Sequence, residues 1–131
     1  MTEPTASGRC VLIVEDGILV RMFAVDALQE AGFDVAEASS GAEALAALEA
    51  RAGELVAIII DLGLPDRSGD EVAAEVRGRY ASLPILIASG RSERELKDRF
   101  ASDPRVAILA KPYTEPLLLQ ALQQLGIDKP R

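Results

Sequence analysis

There is no histidine anywhere in the 131-residue chain, and that absence removes much chemistry. A Ser–His–Asp triad, a His-ligated zinc and an imidazole general base are all excluded. Nor can the chain carry a phosphohistidine of its own. The single cysteine, Cys10, permits no internal disulfide, which agrees with a reducing cytoplasm; its place ahead of an apolar run marks it as a small core residue. Aromatics amount to 4% against 49% hydrophobic residues, so the core is aliphatic. No apolar stretch approaches the roughly 18 residues of a membrane span, and Met1 to Gly8 lacks the apolar segment of a secretory signal. Basic residues number 14 against 21 acidic ones, a net charge of −7, which argues against nucleic acid as a direct partner. Chemistry is left to carboxylates, hydroxyls, lysine and a hard cation.

What is present is organised around Ala57-Ile58-Ile59-Ile60-Asp61-Leu62-Gly63-Leu64-Pro65. An apolar, β-branched run that meets one carboxylate and then Gly and Pro reads as a strand buried on both faces of a parallel sheet. Open α/β sheets place their ligands at the carboxyl ends of such strands, where Asp61 stands. Around it the chain alternates. Strands are expected at Arg9 to Val14, Phe33 to Ala38, Leu55 to Ile60, Ile85 to Ala88 and Arg105 to Ala110. Helices are expected at about 17–31, 42–51, 71–80, 92–100 and 115–125. In the first helix Ile18, Met22, Val25 and Leu28 form the apolar stripe, with Gly32 as terminator. The fourth is short and charged, with Leu96 and Phe100 as anchors. The pattern predicts one α/β domain, a doubly wound five-stranded parallel sheet covered on both faces.

Polar residues then fall at the strand ends: Glu15 and Asp16 after the first, Asp61 after the third, Ser89 after the fourth and Lys111 after the fifth. A doubly wound sheet opens all these ends onto one edge, so the five side chains converge. Three carboxylates together repel one another unless a cation or an ammonium offsets them. A hard divalent cation with oxygen ligands, such as magnesium, suits the acids, and Lys111 suits the remaining negative charge.

The motifs VEDG, IIDLGLPDRSG, IASG and AKPY, in this order and at these spacings, resemble the receiver domain of bacterial two-component response regulators over about residues 9–126. The resemblance implies a flavodoxin-like (CheY-like) (βα)5 fold of strand order 2-1-3-4-5, with residues 1–8 and 127–131 as tails. It implies that Asp61 accepts a phosphoryl group from a histidine kinase or histidine phosphotransfer protein. Magnesium, or manganese, would be held by Asp16, Asp61 and the backbone carbonyl of Gly63, with Glu15 acting through a water. Ser89 and Lys111 would bind the phosphoryl group. A downstream protein would be met on the face of helix 4, strand 5 and helix 5. The protein would work in the cytoplasm, touching neither nucleic acid nor membrane, and would catalyse only its own phosphorylation and dephosphorylation.

Two positions depart from the family pattern. Ile108 stands where receivers usually carry a switch aromatic, and Arg91, two past Ser89, brings a cation to the rim. The PILIASG stretch is similar in part to a mostly alphaproteobacterial subset with a PFxFATG-type motif, although Phe is absent and Ser replaces Thr. Other classes fit less well. A flavodoxin-like nucleotide or flavin module wants a phosphate-cradling glycine loop where VEDGILV stands. A haloacid dehalogenase-type hydrolase wants an acid at Gly63, and a degenerate receiver would not keep Asp16, Asp61 and Lys111. With nothing after Arg131, the chain reads as a stand-alone regulator, or else as a receiver cut from a longer regulator or hybrid kinase.

Overall fold

A computed structural model describes residues 9–90 and 93–130, without the side chains of Ala52, Glu93, Arg94 and Leu96. The expected N-terminal tail, Arg91, the helix start at Ser92 and the Leu96 anchor therefore lie outside the described residues. Five strands, β1 (Cys10–Val14), β2 (Asp34–Ala38), β3 (Leu55–Asp61), β4 (Ile85–Ser89) and β5 (Val106–Ala110), alternate with five helices. These are α1 (Ile18–Glu30), α2 (Gly41–Arg51), α3 (Gly69–Arg79), α4 (Glu93–Arg99) and α5 (Glu115–Gln124). The strands form one parallel sheet in the order β2-β1-β3-β4-β5.

Strand alternation splits the core in two. Leu12, Val14, Ile58, Ile60, Ile85 and Ile87 face α2 and α3, meeting Ala44, Leu48, Val72 and Val76. Val11, Ile13, Ala57, Ile59, Leu86 and Ala88 face α1 and α5, meeting Ala24, Leu28, Leu118 and Leu122. Ile58, Ile59 and Ile60 are fully buried, the environment their continuous apolar run demands. Burying each of those side chains is worth about 2 kcal/mol. The packed chain extends to Ile127, which is buried in the second core. Cys10 is buried in the first core, on the α2–α3 side, and desolvation pushes its thiol above the ordinary range, so it is an inert core residue.

Local signals explain most boundaries. Ser68 and Glu71 form a capping box that starts α3 at Gly69 rather than in the following turn. Thr114 caps α5, with Pro116 in its first turn. Gly32 ends α1 at φ +104. The stripe expected on α1 holds at Leu28 and Val25 and is corrected at Ile18 and Met22: the helix buries Ala24, Ala27 and Leu28, with Val20 and Val25 partly covered. Small residues let the helix sit close on the sheet, so the large ones turn outward. Ile18, Leu19, Met22 and Phe23 are exposed by 64%, 79%, 55% and 42%.

Candidate functional site

Parallel register sets the site. Val14 pairs with Ile60, Asp61 with Ala88 and Ser89 with Ala110, so the residues that follow these pairs leave the sheet along one edge. Asp61, Leu62, Gly63, Ser89, Gly90 and Lys111 line one open pocket of about 330 Å³ at that edge. Glu15, Asp61 and Ser89 are buried, at 3%, 7% and 3% exposure, and they are the buried polar side chains of the described residues. Buried acids need partners, and Lys111 supplies one. Its ammonium donates to Asp61 Oδ1 at 3.0 Å and to Glu15 Oε1 at 3.1 Å. Burial alone would lower the Lys111 pKa, but the bonds to Asp61 and Glu15 outweigh it and hold the pKa above the ordinary lysine value.

Glu15 is committed on both oxygens, since the Gly17 N–H donates to Oε2 at 3.0 Å. Asp16 is exposed and, among the described residues, meets no protein donor. Glu15, Asp16 and Asp61 each offer one carboxylate oxygen, and these atoms all lie within 4.8 Å of one another. The cluster can bind a metal ion: its donors are hard oxygens, and one acid is open to solvent, as a partly hydrated divalent cation requires. Gly63 lies beside it. A Cβ there would sit 3.9 Å from Asp61 Oδ2.

Three neighbours of the site carry no periodic signal in the sequence. Arg21 donates to the Glu15 carbonyl at 2.8 Å and to Glu37 at 3.1 Å, fastening the end of β1. Tyr113 is buried against Phe23, ring centroids 5.9 Å apart. Desolvation, with the Glu15 charge adding to it, pushes its phenol up to about 12. Asp66, on the loop after β3, reaches across to the first turn of α2.

A family model for the response regulator receiver domain matches residues 11–123. The chain belongs to the response regulator receiver family. It is 34% identical over 129 residues to the transcriptional regulatory protein PdtaR of Mycobacterium tuberculosis, covering 94% of this chain and 62% of that protein. To the sensor kinase CckA of Brucella abortus it is 32% identical over 115 residues, 88% of this chain and 12% of that one. The receiver thus spans less than two thirds of either relative. Among solved structures, the chemotaxis protein CheY4 of Vibrio cholerae superposes with a TM-score of 0.81 at 32% identity, covering 89% of this chain and 98% of that one. The receiver domain of the hybrid histidine kinase CckA superposes with a TM-score of 0.74 at 31% identity, covering 88% and 98%.

The receiver fold therefore brings together Glu15, Asp16, Asp61, Gly63, Ser89 and Lys111 as the strand ends promised. Ile108 lies apart from them, half-buried on β5 and packed against the α2–α3 core. Among the described residues, no helix is long and apolar enough to cross a membrane.

Proposed function

We propose that this receiver accepts a phosphoryl group on Asp61 from a phosphohistidine carried by a partner kinase or phosphotransfer protein. The observation that carries the reading is the double contact of Lys111 with Asp61 and Glu15 at the floor of an open pocket. A carboxylate oxygen of Asp61 forms the P–O bond as the P–N bond to the donor imidazole breaks; the departing nitrogen takes the electron pair of that bond, leaving a neutral imidazole protonated on its other nitrogen. Lys111 is already placed to meet charge on the transferring oxygens, where most catalysis of phosphoryl transfer lies. Ser89, buried at the pocket wall, is proposed to donate its hydroxyl to the phosphoryl group once Asp61 is modified. Asp16, Asp61 and the Gly63 carbonyl are proposed to hold a magnesium ion, Glu15 acting through a water because both its oxygens are occupied. Bound there, the ion would supply further positive charge to the phosphoryl oxygens.

The donor is proposed to approach over the flank of α1. Leu19, Val20 and Phe23, with Lys111, Pro112 and Tyr113, line an apolar hollow of about 400 Å³ at the lip of the site. A partner helix resting there would bring its histidine to Asp61. The lone buried Cys10 supports a cytoplasmic setting. The test is intact mass after incubation with a small phosphodonor and magnesium. One phosphoryl group should appear on the wild type and none on Asp61→Asn or Asp16→Ala. Labelling of Asp61→Asn at the wild-type rate would sink the assignment.

A further inference from the structure

Residues 62–68 leave β3 and return to the start of α3. The return is close. A Cβ on Gly69 would lie 2.4 Å from the Asp61 carbonyl oxygen and 2.6 Å from Leu62 Cα, and the Gly69 N–H donates to the Leu62 carbonyl at 2.8 Å. One end of the loop is thus clamped on the backbone of Asp61. Its tip is tied elsewhere: Asp66 Oδ1 accepts from the Gly41 N–H at 2.8 Å and Oδ2 from the Ala42 N–H at 3.0 Å. These are the first amides of α2, which its own helix cannot satisfy.

The contact is shaped on both sides. At Gly41 a Cβ would lie 3.0 Å from Val72, 3.2 Å from Arg67 Cδ and 3.3 Å from Asp66 Oδ1, so a bare backbone is what seats the loop. Among the described residues, 63–67 make no backbone-to-backbone hydrogen bond. Leu64 anchors the loop from below by burial. The Arg67–Glu75 pair at 2.9 Å joins two partly exposed side chains and holds little by itself. Without Asp66 the α2 amides would turn to water, and the loop tip would lose its tie.

From this we infer that Asp66 is a positioning residue for metal binding, fixing the main chain at Gly63 by fastening the loop to α2. The inference rests on the proposed role of the Gly63 carbonyl as a ligand. A carbonyl on an unfastened loop must be ordered each time the ion binds, and that entropy is subtracted from the affinity.

Calorimetric titration of the full chain with magnesium tests it, with metal-free melting measured in parallel. Asp66→Ala should weaken magnesium binding on the order of ten-fold, as loss of an outer partner of a metal site does, while metal-free melting falls by no more than the few degrees that loss of a helix cap costs. Asp66→Asn should lose less, because its one side-chain oxygen still accepts. Gly41→Ala, which presses the same contact from the helix side, should weaken binding with Asp66 intact. A lowered metal-free melting temperature with a wild-type Kd would make Asp66 merely structural and overturn the inference. Should Asp66→Ala not fold, wild-type Kd values in both Asp66→Asn and Gly41→Ala overturn it equally. Failure of the wild type to bind magnesium would overturn this inference and the reading beneath it together. Binding that Asp16→Ala abolishes but Asp66→Ala leaves unchanged would overturn this inference alone.

Discussion

Lys111 and Tyr113 stand two residues apart and face the same buried acids from different sides, with opposite electrostatic results. Lys111 makes charged hydrogen bonds to Asp61 and Glu15, so its proton is held more tightly. Tyr113 makes none of these bonds. Burial comes first and the Glu15 charge second in raising its pKa to about 12. The folded state therefore keeps a proton that an unfolded tyrosine releases near pH 10, so its share of stability is present below about pH 10 and is lost as pH rises through 12. Phenolate absorbance titrated in wild type and Tyr113→Phe should differ by one step centred near pH 12; a difference centred near 10 would refute the account. The acids, Ser89 and Lys111 were legible in the sequence because strand ends are marked by turn residues and the topology gathers them. Arg21, Asp66 and Tyr113 were not, because their partners lie on other segments. Nothing in local spacing encodes a carboxylate that caps a helix 24 positions upstream.

At the scale of elements, α4 is the shortest of the five α-helices. It has seven residues, ERELKDR, too short to be stable by its own propensity. Glu95, Lys97, Asp98 and Arg99 are exposed. An ion pair from Arg99 to Asp70 joins it to α3, and an open cleft of about 520 Å³, lined in part by Lys97, Phe100, Ile108 and Leu117, separates it from α5. The loop beyond it is fixed by contrast. Arg77 donates to Asp103 at 2.8 Å and to the carbonyls of Tyr80 and Leu83 at 2.9 and 2.8 Å. Burial pushes the Asp103 carboxyl up, but the Arg77 bond and the Arg105 amide outweigh that and hold it below its usual range. With Ile108 offering no ring to swing, we expect α4 itself to move about this fixed end. Shifting it from mostly off to mostly on takes about 5.5 kcal/mol of differential interaction, which a few charge-assisted contacts to a phosphoryl group can provide. Beryllofluoride with magnesium should change amide exchange in α4 and leave the amides of Ile85 and Arg105 as they were. Unchanged α4 amides beside a change elsewhere would place the switch on another surface.

Across the whole molecule the fold was the most legible feature, since continuous apolar runs such as Ile58–Ile60 have few homes other than a two-faced sheet. The first half of the α1 stripe was misread for a reason of size: spacing identifies an apolar stripe, and Val25 and Leu28 do face the core, but close approach to a sheet selects Ala24 and Ala27 over Ile18 and Met22. That choice gives the protein a colloidal character. A net charge of −7 keeps copies apart, while the outward Ile18, Leu19, Met22 and Phe23 form an adhesive spot on an otherwise repulsive particle. Salt weakens the first and leaves the second in place, because the screening length falls from about 10 Å at 0.1 M to about 3 Å at 1 M. Light scattering should therefore show net repulsion between copies in dilute buffer turning to attraction as sodium chloride is raised, and a Leu19→Ser, Phe23→Ser double variant should stay repulsive throughout. Equal attraction in the variant would mean that the stickiness lies elsewhere. Crystallisation and storage would follow the same rule: for this particle, low salt is the dispersing condition.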